Sequence, residues 1–482
     1  MRTIRRLLFL LLAVLPLLRT ASAAASDLAI SVDPAMLAKV RDAAMESDWA
    51  YQRLTDLTDL IGPRLSGSAG AEASVNQVAE SLRAAGLSVR LQPVKVPHWV
   101  RGDERAELVD YVGRPTGLTQ RLVLTALGGS AATPEAGLVA PVLVLHSMEE
   151  IEARASEVKG TIVLVSIPFD QNLADNGLEA VAYSQAGKPR FRAPQQLARL
   201  GAVAALVRSV GGADFRLAHT GASSWPAGVT PIPAAALTAE DALLVERLAG
   251  RGPVKMKLTL TPRTLPDVES YNVIADLPGR ESPDQVVLVS GHLDSWDLGT
   301  GAMDDGMGLT ASMGAVVLLK KLGLVPRRTI RVVAWMNEEN GARGSKAYFE
   351  SVKNSIPDQI AAIESDMGLG RPLGITGPLD DAAAARLAPV LDALRTIGAG
   401  ALDSHGTHVG SDIEPLQAAG VAVFAPRMDS RHYFDLHHTA ADTLDKVDAD
   451  ALRRQVAVLA VLAYFLGEVV EPINPGPRAV TH

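Results

Sequence analysis

The chain has no cysteine in its 482 residues, which excludes a disulfide framework and thiolate metal ligands. Aromatic residues account for only 4% of the sequence, whereas 48% is apolar, so its cores must consist mainly of alanine, valine and leucine. A chain of this length exceeds what one hydrophobic core usually holds. Two domains are therefore predicted.

Runs of like charge and long apolar runs are also missing from the sequence. The formal net charge is −8, and the four arginines of residues 1–23 have no acidic neighbours there, so the remainder is more acidic still. An acidic surface without a Lys/Arg tract argues against nucleic-acid binding. After residue 23 no apolar run reaches the roughly 20 residues that a spanning helix needs, so stable membrane insertion is not predicted.

Residues 1–23 have the layout of a signal peptide. Arginines precede an apolar stretch from Leu7 to Leu18, and Ala21-Ser22-Ala23 offers small residues for cleavage. Export to the periplasm or the medium, with cleavage near Ala24, is predicted. The alternative is an uncleaved membrane anchor, which the shortness of the apolar stretch disfavours.

The rest of the chain divides by composition. Between 114 and 265, short apolar runs alternate with Gly, Pro and Ser clusters, which predicts an inserted β-rich domain with helices Ala193–Leu200 and Ala239–Ala249 packed against it. Residues 24–113 and 266–482 are assigned to a second, α/β domain. One large continuous domain is the alternative. The Gly-rich loop 62–70 is predicted to be a plain connector, because no phosphate-binding Lys-Ser/Thr follows it.

Strands and helices alternate in residues 266–482, which predicts a mixed, mostly parallel sheet covered by helices on both faces. The predicted strands lie near Asn272–Asp276, Val286–Ser290, Ile330–Met336, Ile360–Glu364 and Val421–Phe424. The predicted helices lie near Gly306–Leu322, Ser345–Lys353, Ala382–Ile397 and Asp450–Leu466.

Potential metal ligands follow three of these strands. His292 and Asp294 come after the first, Glu338 and Glu339 after the second, and Asp366 after the third. Ligands of such sheets gather beyond the carboxyl ends of the strands, so these side chains are expected on one rim. Each alone also fits a structural role, as a packed histidine or a solvated acid. Together they would repel one another without a cation, and a bound dication is predicted.

The residue types also favour particular metals. Carboxylates with one or two imidazoles and no thiolate fit zinc, with manganese or cobalt as tolerated substitutes. Two ions need a bridging carboxylate, and a hydroxide shared between them would be the nucleophile. Glu338 and Glu339 point apart if their segment is extended, so one can bind metal while the other takes the proton of the water.

Four blocks of the sequence together resemble the signature of the cocatalytic dizinc exopeptidases, the family of the secreted bacterial zinc aminopeptidases and glutamate carboxypeptidases. The blocks are GHLDSWDLGTGAMDDGMG, WMNEENGARGS, ESDMG and HHTAADTLDKV. The resemblance spans most of the chain after the leader. It implies a zinc-exopeptidase (phosphorylase/hydrolase-like) fold, in which residues 114–265 are a protease-associated domain.

The resemblance also implies which residues bind the two zinc ions. The implied ligands are His292 and Asp366 for one ion, Glu339 and His438 for the other, and Asp304 as the bridge between them. His437 is an alternative to His438. The family pattern places the ligand directly before Ser/Thr, as in His438-Thr439, which favours His438.

Further roles follow for the neighbours of these ligands. Glu338 is implied as the general base, and the carboxylate of Asp294 as the group that orients the His292 ring. A cis peptide bond is expected between Asp304 and Asp305, and Asp305 belongs beside the ligands or the substrate. His408 and Tyr433 are candidates for the substrate pocket, although each also fits a purely structural role.

The predicted function is that of an exported dizinc exopeptidase that hydrolyses dipeptides or short peptides at a free terminus. A strict aminopeptidase acting on longer peptides is one alternative. A receptor-like homologue that binds a protein through the inserted domain is an alternative of a different class. A homodimer is expected from the resemblance alone.

Overall fold

The computed structural model describes residues 32–212, 215–406 and 409–473. The leader predicted for residues 1–23 therefore lies outside the described residues. In the described residues the strands form two eight-stranded sheets. None of the helices described is long and apolar enough to cross a lipid bilayer.

The strands are, in chain order, β1 (Ser88–Val100), β2 (Glu104–Asp110), β3 (Gln120–Leu122), β4 (Leu124–Ala126), β5 (Leu138–Leu145), β6 (Ile162–Val165), β7 (Ala204–Arg208), β8 (Ala234–Leu237), β9 (Lys255–Leu260), β10 (Arg263–Leu277), β11 (Ser282–His292), β12 (Arg328–Trp335), β13 (Gln359–Glu364), β14 (Pro372–Thr376), β15 (Ala401–Asp403) and β16 (Ala422–Met428). The helices are α1 (Pro34–Met45), α2 (Trp49–Asp56), α3 (Ala69–Ala84), α4 (Met148–Ala153), α5 (Ala155–Val158), α6 (Gln171–Asp175), α7 (Glu179–Arg199), α8 (Ala239–Ala249), α9 (Met307–Lys321), α10 (Arg343–Val352), α11 (Asp381–Arg386), α12 (Ala388–Arg395), α13 (Glu414–Ala418), α14 (Tyr433–Leu436) and α15 (Ala449–Glu468).

The first sheet has the order β1-β10-β12-β11-β13-β16-β14-β15. Its four central strands, β12, β11, β13 and β16, run parallel to one another. At one side β10 pairs antiparallel with β12 and β1 antiparallel with β10, and at the other β14 pairs antiparallel with β16 and parallel with β15. The predicted mixed, mostly parallel sheet is thus confirmed. Each of the five strands predicted in residues 266–482 overlaps an observed strand.

Helices cover both faces of this sheet. Successive side chains of β11 point to opposite sides and therefore enter two different cores. Val287 and Val289 belong to the core shared with α9 and α15. Val286 and Leu288 belong to a second core, which includes residues of α10 and α13. The helix predicted for Ala382–Ile397 is interrupted at Leu387, and Pro389 stands in the first turn of α12, where its missing N–H does no harm.

A long antiparallel ribbon connects the two sheets. Its strands β1 and β10 pair from Ser88 with Asp276 to Val100 with Arg263. The second sheet then has the order β3-β2-β9-β5-β6-β7-β8-β4 and begins at Glu104, before the domain boundary predicted at 114. Its strands β5 to β8 are parallel, and α7 is longer than the predicted helix Ala193–Leu200. This part therefore contains more helix than the predicted β-rich domain.

Candidate metal centre

The carboxyl ends of three adjacent parallel strands lie at one edge of the first sheet, where the sequence predicts them. β11 lies between β12 and β13 and ends at His292. Glu338 and Glu339 follow the end of β12, and Asp366 follows the end of β13. Because the strands are parallel, the residues after their carboxyl ends converge.

Asp304 lies at the centre of this group, in an irregular turn, Ala302–Gly306, between β11 and α9. Its Oδ1 lies 3.1 Å from His292 Nε2, which is also 3.3 Å from Asp366 Oδ1. Its Oδ2 lies 3.1 Å from His438 Nε2, which is also 3.0 Å from Glu339 Oε2. The two oxygens of Asp304 therefore face two different histidine–carboxylate pairs.

His437 also reaches Asp304. Its Nε2 lies 3.3 Å from Asp304 Oδ2, and its ring stacks on that of His438 with centroids 3.5 Å apart. His438 additionally contacts Glu339, so it meets two carboxylates. Aromatic rings of Tyr183 and Phe434 border His437. This geometry favours His438 as the ligand and leaves His437 stacked against it, in an aromatic pocket.

The orientation of the two rings suits a bound dication. His292 Nδ1 lies 2.9 Å from the carbonyl oxygen of Asp294, and His438 Nδ1 lies 3.3 Å from that of Thr220. A carbonyl only accepts, so each Nδ1 carries a proton. Burial lowers the pKa of His292 and of His438, but the facing carboxylates outweigh it and hold both pKa values well above the usual one in the absence of a cation. A dication would favour the neutral rings, in which Nε2 offers a lone pair. Within the described chain Asp304 Oδ2 is buried without a hydrogen-bond partner. A zinc ion on each side of Asp304 would satisfy these atoms.

Main-chain hydrogen bonds hold the Asp304 turn from two sides. Asp442 accepts from the N–H of Met303 at 2.7 Å and of Asp304 at 3.2 Å. Asp305 accepts from the N–H of His292 at 2.9 Å and of Gly308 at 3.1 Å. The expected cis peptide bond between Asp304 and Asp305 is present. Since Asp305 is fully buried and occupied in this way, it positions the turn and does not line a pocket.

The contact predicted between the Asp294 carboxylate and the His292 ring is instead made by the main-chain carbonyl of Asp294. The carboxylate points to the end of β12, where Oδ1 accepts from the N–H of Asn337 at 2.7 Å and of Glu338 at 3.1 Å. The tight turn after β11 brings the carbonyl, not the side chain, to the imidazole. Asp294 thus fixes the segment that carries Glu338.

Arg64 is a residue of the site that the sequence did not indicate. The loop predicted to be a plain connector buries this side chain completely. The guanidinium donates to four carbonyl oxygens, those of Leu293 at 2.8 Å, Gly62 at 3.1 Å, Thr300 at 2.6 Å and Gly301 at 2.9 Å. Burial lowers the pKa of Arg64 to about 10. Arg64 therefore connects the two ends of the loop between β11 and the Asp304 turn.

The second sheet supplies a further contact that the sequence did not indicate. His219 is buried, and its Nδ1 lies 2.8 Å from the carbonyl oxygen of His437. Burial lowers the pKa of His219 to about 3, so the ring is neutral. The sequence showed only an isolated histidine in the insert. Its contact with the site joins two residues that are 218 positions apart, and the sequence alone does not show that they meet.

The two pocket candidates have different outcomes. Tyr433 is buried, with its ring centroid 5.0 Å from that of His437. Burial and the nearby carboxylates of Asp304 and Asp366 hold the pKa of Tyr433 well above its usual value, so it is a neutral hydroxyl donor. His408 lies outside the described residues.

The acids of the site retain protons at unusually high pH in the absence of a cation. Burial, opposed by His292 and reinforced by Asp366 and Asp304, raises the pKa of Glu338 to about 7. Burial together with Asp304 raises the pKa of Glu339 to about 8. Burial together with Asp304 also raises the pKa of Asp442 to about 7. A dication would favour the ionised forms.

These pKa values predict a pH-dependent effect of zinc on stability. A carboxyl group whose pKa is higher in the folded state stabilises the fold at low pH, and this contribution is lost as pH rises to the folded pKa. Metal-free protein should therefore lose stability between about pH 4.5 and pH 8. Over this range Glu338, Glu339 and Asp442 ionise in the unfolded chain, whereas the folded protein still keeps their protons. Zinc should raise the melting temperature progressively more across this range, as measured by calorimetry with and without metal. Equal increments at pH 5 and pH 8 would contradict the prediction.

Comparisons with known proteins give consistent results. Residues 272–463 match the profile of peptidase family M28. Carboxypeptidase Q of Homo sapiens is 37% identical over 424 residues, which cover 88% of this chain and 86% of the relative. The crystal structure of a peptidase M28 precursor from Shewanella amazonensis SB2B is 34% identical, with a TM-score of 0.86 over 92% of this chain and 99% of that one. A zinc aminopeptidase from Bacillus subtilis shares the fold at 20% identity, with a TM-score of 0.61 over 88% of this chain and 98% of that one.

Proposed function

The chain belongs to peptidase family M28, and from this membership we propose that it is an exopeptidase with two zinc ions in its active site. Its substrates would be dipeptides or short peptides cleaved at a free terminus. The observation that carries the proposal is the position of Asp304, whose two oxygens each face a different histidine–carboxylate pair. Manganese or cobalt would be tolerated in place of zinc.

The ligand sets follow from the two pairs. His292 and Asp366 would hold one ion, His438 and Glu339 the other, and Asp304 would contribute one oxygen to each. When bound, the ions would acidify a water molecule and polarise the scissile carbonyl. Neutral imidazoles with Nδ1 bonded to a carbonyl are suitable ligands, because that bond fixes the tautomer and the ring orientation.

Glu338 is proposed as the general base. Its carboxylate takes the proton from the attacking water and passes it to the departing amine nitrogen. A pKa near neutrality suits a group that must both accept and donate a proton at neutral pH. Asp294 positions this residue by accepting its main-chain N–H. Tyr433 donates a hydrogen bond from its neutral hydroxyl to the substrate oxygen.

The terminus recognised is proposed to be the carboxyl end of a dipeptide. The name of the human relative, carboxypeptidase Q, supports this choice. The alternative, aminopeptidase action on longer peptides, is supported by an aminopeptidase of Pseudomonas aeruginosa that is 26% identical over 454 residues. A receptor-like protein without metal has less support, because the sequence has all five proposed ligands and Glu338.

The remaining features of the proposal concern location and organisation. Residues 1–23 are proposed as a leader that directs export to the periplasm or the medium. The segment that forms the second sheet, Glu104 to Leu260, is proposed as a protease-associated domain inserted into the catalytic domain. Assembly as a homodimer stays a prediction.

A panel of dipeptides and longer peptides tests the function. Dipeptides with both ends free should be hydrolysed, and a blocked carboxyl end should abolish hydrolysis, because the proposed substrate is held at that end. A chelator should remove activity and added zinc should restore it. Products are measured by chromatography with primary-amine detection. Hydrolysis that survives complete removal of metal would contradict the proposal, and cleavage of peptides with a blocked carboxyl end would support the aminopeptidase alternative.

A further inference from the structure

The segment that carries His437 and His438 is held by main-chain and side-chain groups of the second sheet. His219 Nδ1 donates to the carbonyl oxygen of His437 at 2.8 Å. The Thr220 N–H donates to the carbonyl oxygen of His438 at 2.9 Å, and His438 Nδ1 donates in return to the carbonyl oxygen of Thr220 at 3.3 Å. The carbonyl groups of His437 and His438 and the ring of His438 are therefore held by residues of the second sheet.

His438 needs such support because of its backbone conformation. Its φ is 62°, in the left-handed region that residues other than glycine rarely adopt. A residue in this conformation persists only where surrounding contacts determine it. The bonds to His219 and Thr220 fall on the two carbonyls that flank the His438 Cα. Their loss would release the residue towards an ordinary φ and turn its ring.

The two segments also fit closely. A side chain at Gly211 would place a Cβ atom 2.2 Å from His219 Cε1 and 2.2 Å from the carbonyl oxygen of Phe434. The Gly212 N–H donates to the same carbonyl at 3.0 Å, and Ser209 Oγ accepts the His219 N–H at 3.0 Å. Glycine at 211 thus allows His219 to lie directly against the histidine segment.

A second set of hydrogen bonds connects Thr220 with the loop after β11. Arg101 donates to Asp297 Oδ1 at 2.6 Å and to Thr220 Oγ1 at 3.2 Å. The neighbouring Trp296 donates its main-chain N–H to Glu339 Oε1 at 3.1 Å. These bonds fix Thr220 relative to Glu339 and His438, the histidine–carboxylate pair that faces Oδ2 of Asp304.

We propose that His219, together with the main chain of Thr220, is a positioning residue of the metal centre, so that affinity for the ion held by His438 and Glu339 depends on the second sheet. The inference rests on the proposed two-zinc function. The ion held by His292 and Asp366 would depend less on it, because His292 Nδ1 donates within the first sheet's own loop.

Zinc affinity of His219 variants tests the inference. His219→Leu removes the donor to His437, and the more weakly held zinc should then bind about 10- to 100-fold less tightly, as for other partners of metal ligands. His219→Asn places an amide N–H near the original Nδ1 and should restore affinity to within a few fold. Affinity and stoichiometry are measured by competition with a chromophoric chelator, and thermal unfolding is followed in parallel.

Thr133→Val is the matched control. Thr133 is buried, and its Oγ1 bonds the main chain of Leu260 in the second sheet, which is not a residue of the metal centre. Its loss should lower stability and leave zinc affinity unchanged. Equal zinc affinity in wild type and His219→Leu would overturn the inference, as would an equal loss in Thr133→Val. Fewer than two zinc ions in the wild type would instead contradict the proposed function.

Discussion

Glu338→Gln is expected to lower kcat by about 10²- to 10⁴-fold, the range for loss of a general base. Glutamine keeps the size of the side chain but cannot accept the proton of the water. The main-chain bond from residue 338 to Asp294 is unaffected by the change. Zinc content, measured by elemental analysis, should therefore stay at the wild-type level. KM should change little, because the substrate is still bound.

Glu339→Gln is the matched comparison for this variant. The two residues are neighbours, but Glu339 Oε2 contacts His438 Nε2, whereas Glu338 has no such contact with a ligand histidine in the described chain. Glu339→Gln should accordingly lose zinc as well as rate. Near-full activity in Glu338→Gln, or loss of zinc from that variant, would exclude Glu338 as the general base.

The sequence predicted the residues that meet at the rim because their chemistry and their places after strand ends are both local features. His292, Glu339 and Asp366 follow recognisable strands, and parallel strands bring such residues together. The structure brings together every proposed ligand. That these residues bind zinc stays a prediction.

The residues that support the site were not predicted, because they act through main-chain groups at long range. Arg64 bonds carbonyls more than 200 positions away, and nothing in a Gly-rich loop distinguishes it from a surface arginine. Asp442 lies within the block HHTAADTLDKV, but its bonds to two N–H groups depend on how the Asp304 turn folds. The role of His219 likewise depends on how the second sheet packs against the segment of His437 and His438.

The second sheet contributes no residue to the two groups of acids and histidines that could hold a metal ion in the described part of the chain. Its contribution is instead structural. Gly128 leaves room for the Trp296 ring, since a Cβ there would lie 2.3 Å from it, and Arg101 forms an ion pair with Asp297 at 2.6 Å. The loop after β11 is therefore packed between the two sheets.

Asp304→Ala should have the largest effect of any single substitution at the site. It leaves His292 with Asp366 on one side and His438 with Glu339 on the other. Each half then offers two protein ligands, fewer than the three that catalytic zinc sites usually have. Zinc content should fall from two ions to less than one per chain. Activity should fall by more than the roughly 10⁴-fold upper limit expected for Glu338→Gln.

Asp304→Asn separates loss of the bridge from loss of the side chain. Asparagine keeps one oxygen that can bind a metal and replaces the other with an amide that cannot, so this variant should retain at most one zinc. The order of zinc content should be wild type, then Asp304→Asn, then Asp304→Ala, measured by elemental analysis after dialysis against metal-free buffer. Because Asp304 is bonded to Asp442 only through its main-chain N–H, that bond should survive both changes, and circular dichroism should show an unchanged fold. Two zinc ions per chain in Asp304→Ala would exclude Asp304 as the bridge.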